Sequence, residues 1–409
     1  MNLTEKRDEL LEENLCDRCL GRQFGDLGHG LENYERGMIA RDLKQVDESS
    51  FVAENVPEGG EPREGDCSLC EGLFVDLDHY VEMVEDKLSS YELDTVVVGT
   101  RVPRRIEKRQ EQIWENYGDR YARPIKSELN RIVGRRVQED LALEADFERP
   151  DANPVLDLEN DRVELQINSL LIYGQYDKYV RGIPQTVWHC KECGGRGCGE
   201  CNYTGKKYEE SVQEIIQAPF IAASRAKDVS FHGAGREDVD ARCFGRREFV
   251  LELKRPKNRN LELERIAKEL NESQDSVEVF RISRTKKDRV EEVKTEDSDK
   301  SYLAIVELSE KLKDLDTEGL EEIPGTVEQR TPERVSHRRA DKVRRRKVYW
   351  LRSEKLGENK LELTLKTEAG TYVKELISGD GMRTKPSVAE KLGCEARCTS
   401  LDVLEIYRK

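Results

Sequence analysis

Eight of the 11 cysteines stand in four Cys-x-x-Cys pairs: Cys16/Cys19, Cys67/Cys70, Cys190/Cys193 and Cys198/Cys201. Two thiolates at this spacing on a tight turn both reach one tetrahedral ion, so four pairs amount to two four-ligand sites. The first site would tie the N-terminal helix to a loop some fifty residues later. The second, CKECGGRGCGEC, is compact, and its glycines let a short loop fold round an ion. Its Cys193-x4-Cys198-x2-Cys201 spacing also fits an iron–sulfur loop, and its CxxCxGxG half resembles a chaperone zinc module. Structural zinc at one or both sites is the expectation. Cys243, Cys394 and Cys398 fall outside the pairs and read as small core residues.

The other chemistry-bearing stretch is GREDVDARCFG at 235–245, where carboxylates follow a turn-forming start and precede the apolar FVLEL. Glu237, Asp238 and Asp240 alternate along this stretch, and one of these carboxylates would stand alone in a pocket. None of the five histidines pairs with a Ser or Cys nucleophile, and His337 sits among arginines that make it a poor proton store. No P-loop or Rossmann fingerprint occurs, and GAGR at 233–236 is too short to be one, so no nucleotide cofactor is expected.

The elements that must position these residues belong to a chain of 409, long enough for two or three domains. With 84 acidic against 69 basic side chains and a net charge of −15, binding of nucleic acid by bulk charge is excluded. Positive charge is instead local. Residues 330–347, RTPERVSHRRADKVRRRK, hold nine basic and two acidic side chains, and RVPRRIEKR (101–109) and RISRTKKDR (281–289) form two further clusters. Three separated patches suit a folded polyanion such as RNA. No apolar run is long enough to span a bilayer and the first residues lack a signal-peptide core, so a cytoplasmic protein is expected.

Periodicity predicts an amphipathic helix over 4–15 with Thr4 as its cap and an exposed loop at about 40–66. Further on it predicts a helix near 76–89, a buried strand TVVVG at 95–99, a helix near 104–117, and a helix at 125–133 stopped by Gly134. Val163, Leu165 and Ile167 alternate with polar residues as in a half-buried strand. Beyond the cysteine loop at 188–205 come strands at 249–253, 347–351 and 360–367 and a helix near 261–270. The fold class expected is α+β, with a small α/β region over 1–212 and a domain with a mixed, largely antiparallel sheet over 213–409.

Seven ordered blocks carry a resemblance. GREDVDARCFG, SYLAIVEL (301–308), QRTPERVSHRRAD (329–341) and GTYVKELISGDGMRTKPS (370–387) resemble the archaeal and eukaryotic tRNA pseudouridine synthase family numbered ten. In the N-terminal half, VVVGTRVPRRIE, VELQINSLLIYG and RGIPQTVWHCKECGGRGCGECNYTGK are similar to the family's THUMP-bearing RNA-binding part.

The resemblance implies isomerisation of uridine in the T-arm of tRNA, at positions 54 and 55, with no cofactor for catalysis and with tRNA as the partner. It implies the required aspartate at Asp238, with Asp240 as runner-up, acting either as nucleophile or as proton acceptor. It implies Tyr302 as the base-stacking aromatic, Tyr372 as a second pocket residue, Lys374 as the cation paired with the aspartate, and Leu401 as an apolar wall. Tyr372 and Lys374, two apart, would share one face of a strand. Arg330, Arg334, His337, Arg338 and Arg339 would bind substrate through its phosphates.

The stretch Cys243 to Phe249 departs from the pattern: one residue and a proline of a G-x-G-R-P-F-like loop are missing, which implies an altered pocket loop. A monomer is expected. Two rival readings remain: a non-catalytic zinc-containing tRNA-binding or RNA-chaperone protein, and a THUMP-linked methyltransferase or thiolase, against which the missing cofactor loop speaks.

Overall fold

The computed structural model describes residues 2–312, 315, 317–336 and 340–408. The chain forms two compact units, Met1–Asn168 with Lys257–Arg259 and Ser169–Pro256 with Asn260–Lys409.

The first unit holds helices α1 (Leu3–Glu12), α2 (Asp17–Gly21), α3 (Asn33–Asp42), α4 (Leu77–Leu88), α5 (Arg104–Tyr117) and α6 (Ile125–Leu141), with strands β1 (Gly99–Arg101), β2 (Ala152–Asp157) and β3 (Arg162–Ile167). Asn2, not Thr4, caps α1 in a reciprocal box with Glu5; the Thr4 hydroxyl is spent on the Val46 carbonyl instead. The segment at 40–66 is only partly a loop in water, because Phe51 is buried and stacks on Phe24 with ring centroids 5.1 Å apart.

Helix α6 does not stop at Gly134. It continues to Leu141 and ends where Ala142 turns left-handed. Gly134 is buried within the helix, and a Cβ there would meet Val98 at an ordinary contact distance of 3.7 Å. The stretch at 95–99 is mostly not a strand; Thr95 and Val96 make isolated bridges, and the ladder begins at Gly99. Val96 and Val98 are nonetheless buried, beside Val81 and Val84 of α4 and Val133 and Val137 of α6. The apolar run was legible, while its pairing depended on distant β2.

The second unit contains β4 (Leu170–Lys178), α7 (Val212–Ser224), β5 (Asp228–Gly233), β6 (Ala241–Lys254), α8 (Leu263–Ser273), β7 (Val277–Arg284), α9 (Asp288–Thr295) and β8 (Asp299–Leu308). It continues with β9 (Gly325–Arg330), β10 (Val343–Gly357), β11 (Lys360–Thr367), α10 (Val373–Ser378), β12 (Thr384–Lys385), α11 (Val388–Leu392) and β13 (Ala396–Tyr407). Among the described residues these strands form one sheet in the order β12-β9-β10-β11-β8-β13-β6-β4-β7, with β5 also paired to β6. Every pairing is antiparallel except β13 with β6, which run parallel at its centre.

Because β4 pairs with both β6 and β7, the units divide at Asn168/Ser169 and not at 212/213. The cysteine loop at 188–205 therefore belongs to the second unit.

Helices α2 and α3 approach closely through glycine. A Cβ on Gly37 would sit 2.0 Å from the Asp17 carbonyl oxygen, and one on Gly21 would sit 1.7 Å from that of Asn33. Backbone lies on both sides, so the contact cannot relax cheaply. Gly37→Ala should destabilise the first unit by roughly 1–3 kcal/mol, read as a lower midpoint of its calorimetric transition. Gly99→Ala, whose Cβ would find its nearest neighbour at 3.7 Å, should leave that midpoint unchanged.

Candidate active site and metal centres

A cleft of about 730 Å³ opens in the second unit, over the centre of its sheet. Asp238 enters it from the turn between β5 and β6, Tyr302 from β8, Leu401 and Val403 from β13, Tyr372 and Lys374 from the start of α10, and Arg334 from the turn after β9. Tyr302 lies opposite Val403, and Leu401 pairs with Ala304 on one side and Ala241 on the other. The strand period of two thus sets Tyr302, Leu401 and Val403 on one face.

Lys374 does not share a strand face with Tyr372. Gly370 takes a φ of 75° and turns the chain, Tyr372 caps α10, and Lys374 lies in its first turn. From there its amine stands 3.1 Å from Oδ2 of Asp238 and donates to both oxygens of Asp240 at 2.9 Å. Burial alone would push the Lys374 amine down, but the two carboxylates outweigh it and hold it above the ordinary lysine value. Burial likewise works against ionisation of Asp240, and the bond from Lys374 overcomes it, leaving that carboxyl below its usual range.

A turn, closed by the Ala241 amide donating to the Asp238 carbonyl, brings Asp238 and Asp240 round to the same amine. Glu237 points the other way, into the interior, where it meets Arg247 at 2.8 Å and receives the Tyr176 hydroxyl. The two aspartates differ in surroundings. Asp238 lines the cleft with its side chain 39% exposed, whereas Asp240 is outside the lining and 64% exposed. The Tyr302 phenol is pushed up to about 12 by burial, so it meets a ligand as a neutral ring.

The stretch from Cys243 to Phe249 is no loop. It runs within β6, and its irregularity is a bulge at Gly245 and Arg246, the latter with φ 48°. Sequence reasoning missed Lys294, Lys300, Arg236 and Arg247, all of which line the cleft. Arg247 lies in the departing stretch itself, and nothing in its local pattern marked it as buried.

The basic clusters fare unequally. Arg334 reaches the cleft and donates to Glu375 at 2.6 Å, whereas Arg330 lies outside the lining and is tied to Asp341. His337, Arg338 and Arg339 lie outside the described residues. In the 101–109 cluster, Arg101 pairs with Asp157 and Glu164, Arg105 with Glu71, and Arg109 with Glu13. Much of its charge is neutralised within the fold.

Both cysteine quartets converge. The sulfurs of Cys16, Cys19, Cys67 and Cys70 lie within 4.8 Å of one another, as do those of Cys190, Cys193, Cys198 and Cys201. Cys16 and Cys70 are 3.7 Å apart, and Cys190–Cys198 and Cys193–Cys201 are 3.9 Å apart. A tetrahedron with metal–sulfur bonds of about 2.3 Å has edges of about 3.8 Å, so each quartet fits one ion rather than a cluster of several irons.

The surroundings are built for thiolates. Arg22, fully buried, donates to Cys19 Sγ at 2.8 Å, and the amides of Gly197 and Gly205 donate to Cys193 and Cys201 at 3.2 Å. Cys243, Cys394 and Cys398 take no part, and Cys243 is core, as expected.

Residues 171–407 match the family described as Pus10, C-terminal, and residues 80–157 match the Pus10 THUMP domain, archaeal. The sheet and its cleft therefore belong to the catalytic C-terminal domain of a pseudouridine synthase, preceded in the chain by a THUMP domain. Over 417 residues the chain is 41% identical to the tRNA pseudouridine synthase Pus10 of Methanothrix thermoacetophila, covering 96% of this chain and 91% of that one. It is 42% identical over 416 residues to the Pus10 of Methanothermobacter marburgensis, covering 99% of both. The chain belongs to the Pus10 family.

The purified protein should carry two metal equivalents per chain by elemental analysis. Replacing Cys67 and Cys70 together by serine should leave one, and so should replacing Cys198 and Cys201; an unchanged count in either case would dismiss that quartet as a ligand set.

Proposed function

We propose that this protein isomerises uridine to pseudouridine in the T-arm of tRNA, at position 54, 55 or both, with Asp238 as the required carboxylate. The observation that carries this reading is the Asp238–Lys374 contact of 3.1 Å at the wall of a cleft floored by Tyr302 and Leu401. A uridine within folded RNA is stacked, and extrusion forfeits that energy unless a ring and an apolar wall replace it. Tyr302 supplies the ring. Leu401 and Val403 supply the wall.

The reaction breaks the C1′–N1 bond and forms a C1′–C5 bond, while the proton on C5 is replaced by one on N1. Atoms and charge balance with nothing added, so the chain's own groups suffice. Lys374, 3.1 Å from its Oδ2, aims the Asp238 carboxylate into the cleft. Arg334, steadied by Glu375, offers its remaining N–H groups to a phosphate of the extruded nucleotide. The THUMP module grips the tRNA body by shape and phosphate, and both cysteine quartets hold structural zinc.

Incubated alone with an unmodified tRNA transcript, the protein should produce pseudouridine in the T-arm by chemical mapping. Asp238→Asn should lower the single-turnover rate by roughly 10³-fold or more, with the Kd for tRNA within a few-fold of the parent. A normal rate would refute the assignment, and a purely RNA-binding protein would show no product with either form. Lys374→Met should lower the rate by about 100-fold, and Lys374→Arg should recover part of it.

A further inference from the structure

Asp238 sits in an irregular turn, and irregular backbone has no ladder to hold it. The carbonyls of this turn are instead met one by one. Arg247 donates to Ala234 at 2.6 Å, Gln185 to Gly235 at 2.9 Å, and Arg181 to Asp240 at 2.7 Å. Lys178, with its side chain fully buried, donates to Asp238 and Val239 at 3.3 Å and to Ile183 at 3.0 Å. An ammonium has three N–H donors, and here three carbonyls consume them.

Three of these donors, Lys178, Arg181 and Gln185, come from one strap running out of β4, and the Gly182 amide of the same strap donates to Val239 at 2.9 Å. Beneath the turn, Glu237 offsets the buried charge. It lies 2.8 Å from Arg247 and 4.0 Å from Lys178, which leaves one net positive charge behind the aspartate.

We infer that Lys178 and Arg181 are positioning residues for the reaction: through backbone carbonyls of the 234–240 turn they hold Asp238 where its carboxylate meets both Lys374 and the substrate. The inference rests on Asp238 being the catalytic carboxylate. Neither side chain lines the cleft, so their effect falls on the chemical step and not on tRNA affinity. Methionine matches the length of Lys178 but donates nothing, so the turn keeps its packing and loses its anchor. Arg181 is 33% exposed; it also donates to the Leu401 carbonyl at 3.0 Å and to Asp402, which keeps Arg242 as a second partner when Arg181 is replaced.

The test is single-turnover kinetics on an unmodified tRNA transcript, with Kd and thermal midpoint measured in parallel. Lys178→Met should lower the rate by about 100-fold, and Arg181→Met by about 10-fold, with Kd within threefold of the parent in each. Arg181→Lys, which keeps one donor towards the Asp240 carbonyl, should recover at least a third of the parent rate. Parent-like rates in folded Lys178→Met or Arg181→Met would overturn the inference, as would a rate loss matched by an equal loss of affinity. If Lys178→Met does not fold, the Arg181 pair decides alone. An active Asp238→Asn would bring down the functional reading itself, whereas an inactive Asp238→Asn beside a normal Lys178→Met would remove only the present inference.

Discussion

One amine shared by two carboxylates joins the parts of this site. Lys374 belongs to α10, Asp238 and Asp240 to the turn before β6, and the contact spans more than 130 residues of sequence. Charge pairs at an exposed surface contribute little, because water screens them and long side chains resist ordering. This contact is partly sheltered, with Lys374 only 26% exposed, and the two carboxylates hold its amine above the ordinary lysine value against the effect of burial. The cleft residues Tyr302 and Leu401 matter only because this ionised group stands beside them.

The sheet makes that meeting possible. Its parallel pair, β6 with β13, sets Ala241 beside Leu401, while antiparallel β8 carries Tyr302 opposite Val403. Strands are stiff and their side chains alternate, so the cleft floor follows from register alone. The aspartate cannot sit on such a strand, since it must turn toward an amine arriving from a helix. An irregular turn gives it that direction, and buried cations supply the hydrogen bonds that the turn lacks. The cysteines of the second quartet are the core of their own loop, whereas those of the first join a larger apolar cluster.

Much of the site was legible from local pattern. The cysteine pairs specified both quartets because Cys-x-x-Cys geometry is set within four residues. Alternation found β3 and β11, and helical period found α4, α5 and α8. The elements that were misread depended on distant chain. Gly134 looked like a stop, yet it lies inside α6, which runs on to Leu141 and ends only where Ala142 turns left-handed. The strand expected at 95–99 starts late because its ladder is set by β2. Tyr372 and Lys374 looked like strand neighbours, but Gly370 turns the backbone and a helix begins.

What the residues determined unaided was chemistry: thiolates spaced for metal, a carboxylate run at a turn, and positive charge gathered on short stretches of an acidic chain. Those properties are local and survive any arrangement of the rest. Tertiary structure alone decided which acidic side chain faces the cleft, that Glu237 is buried against Arg247, and that Lys178 ends beneath the turn. It also decided that β4, and the cysteine loop after it, belong with the second unit. The physical reason is that a charge acquires its role from the dielectric and the partners around it, and these come from segments that meet only when the sheet has formed.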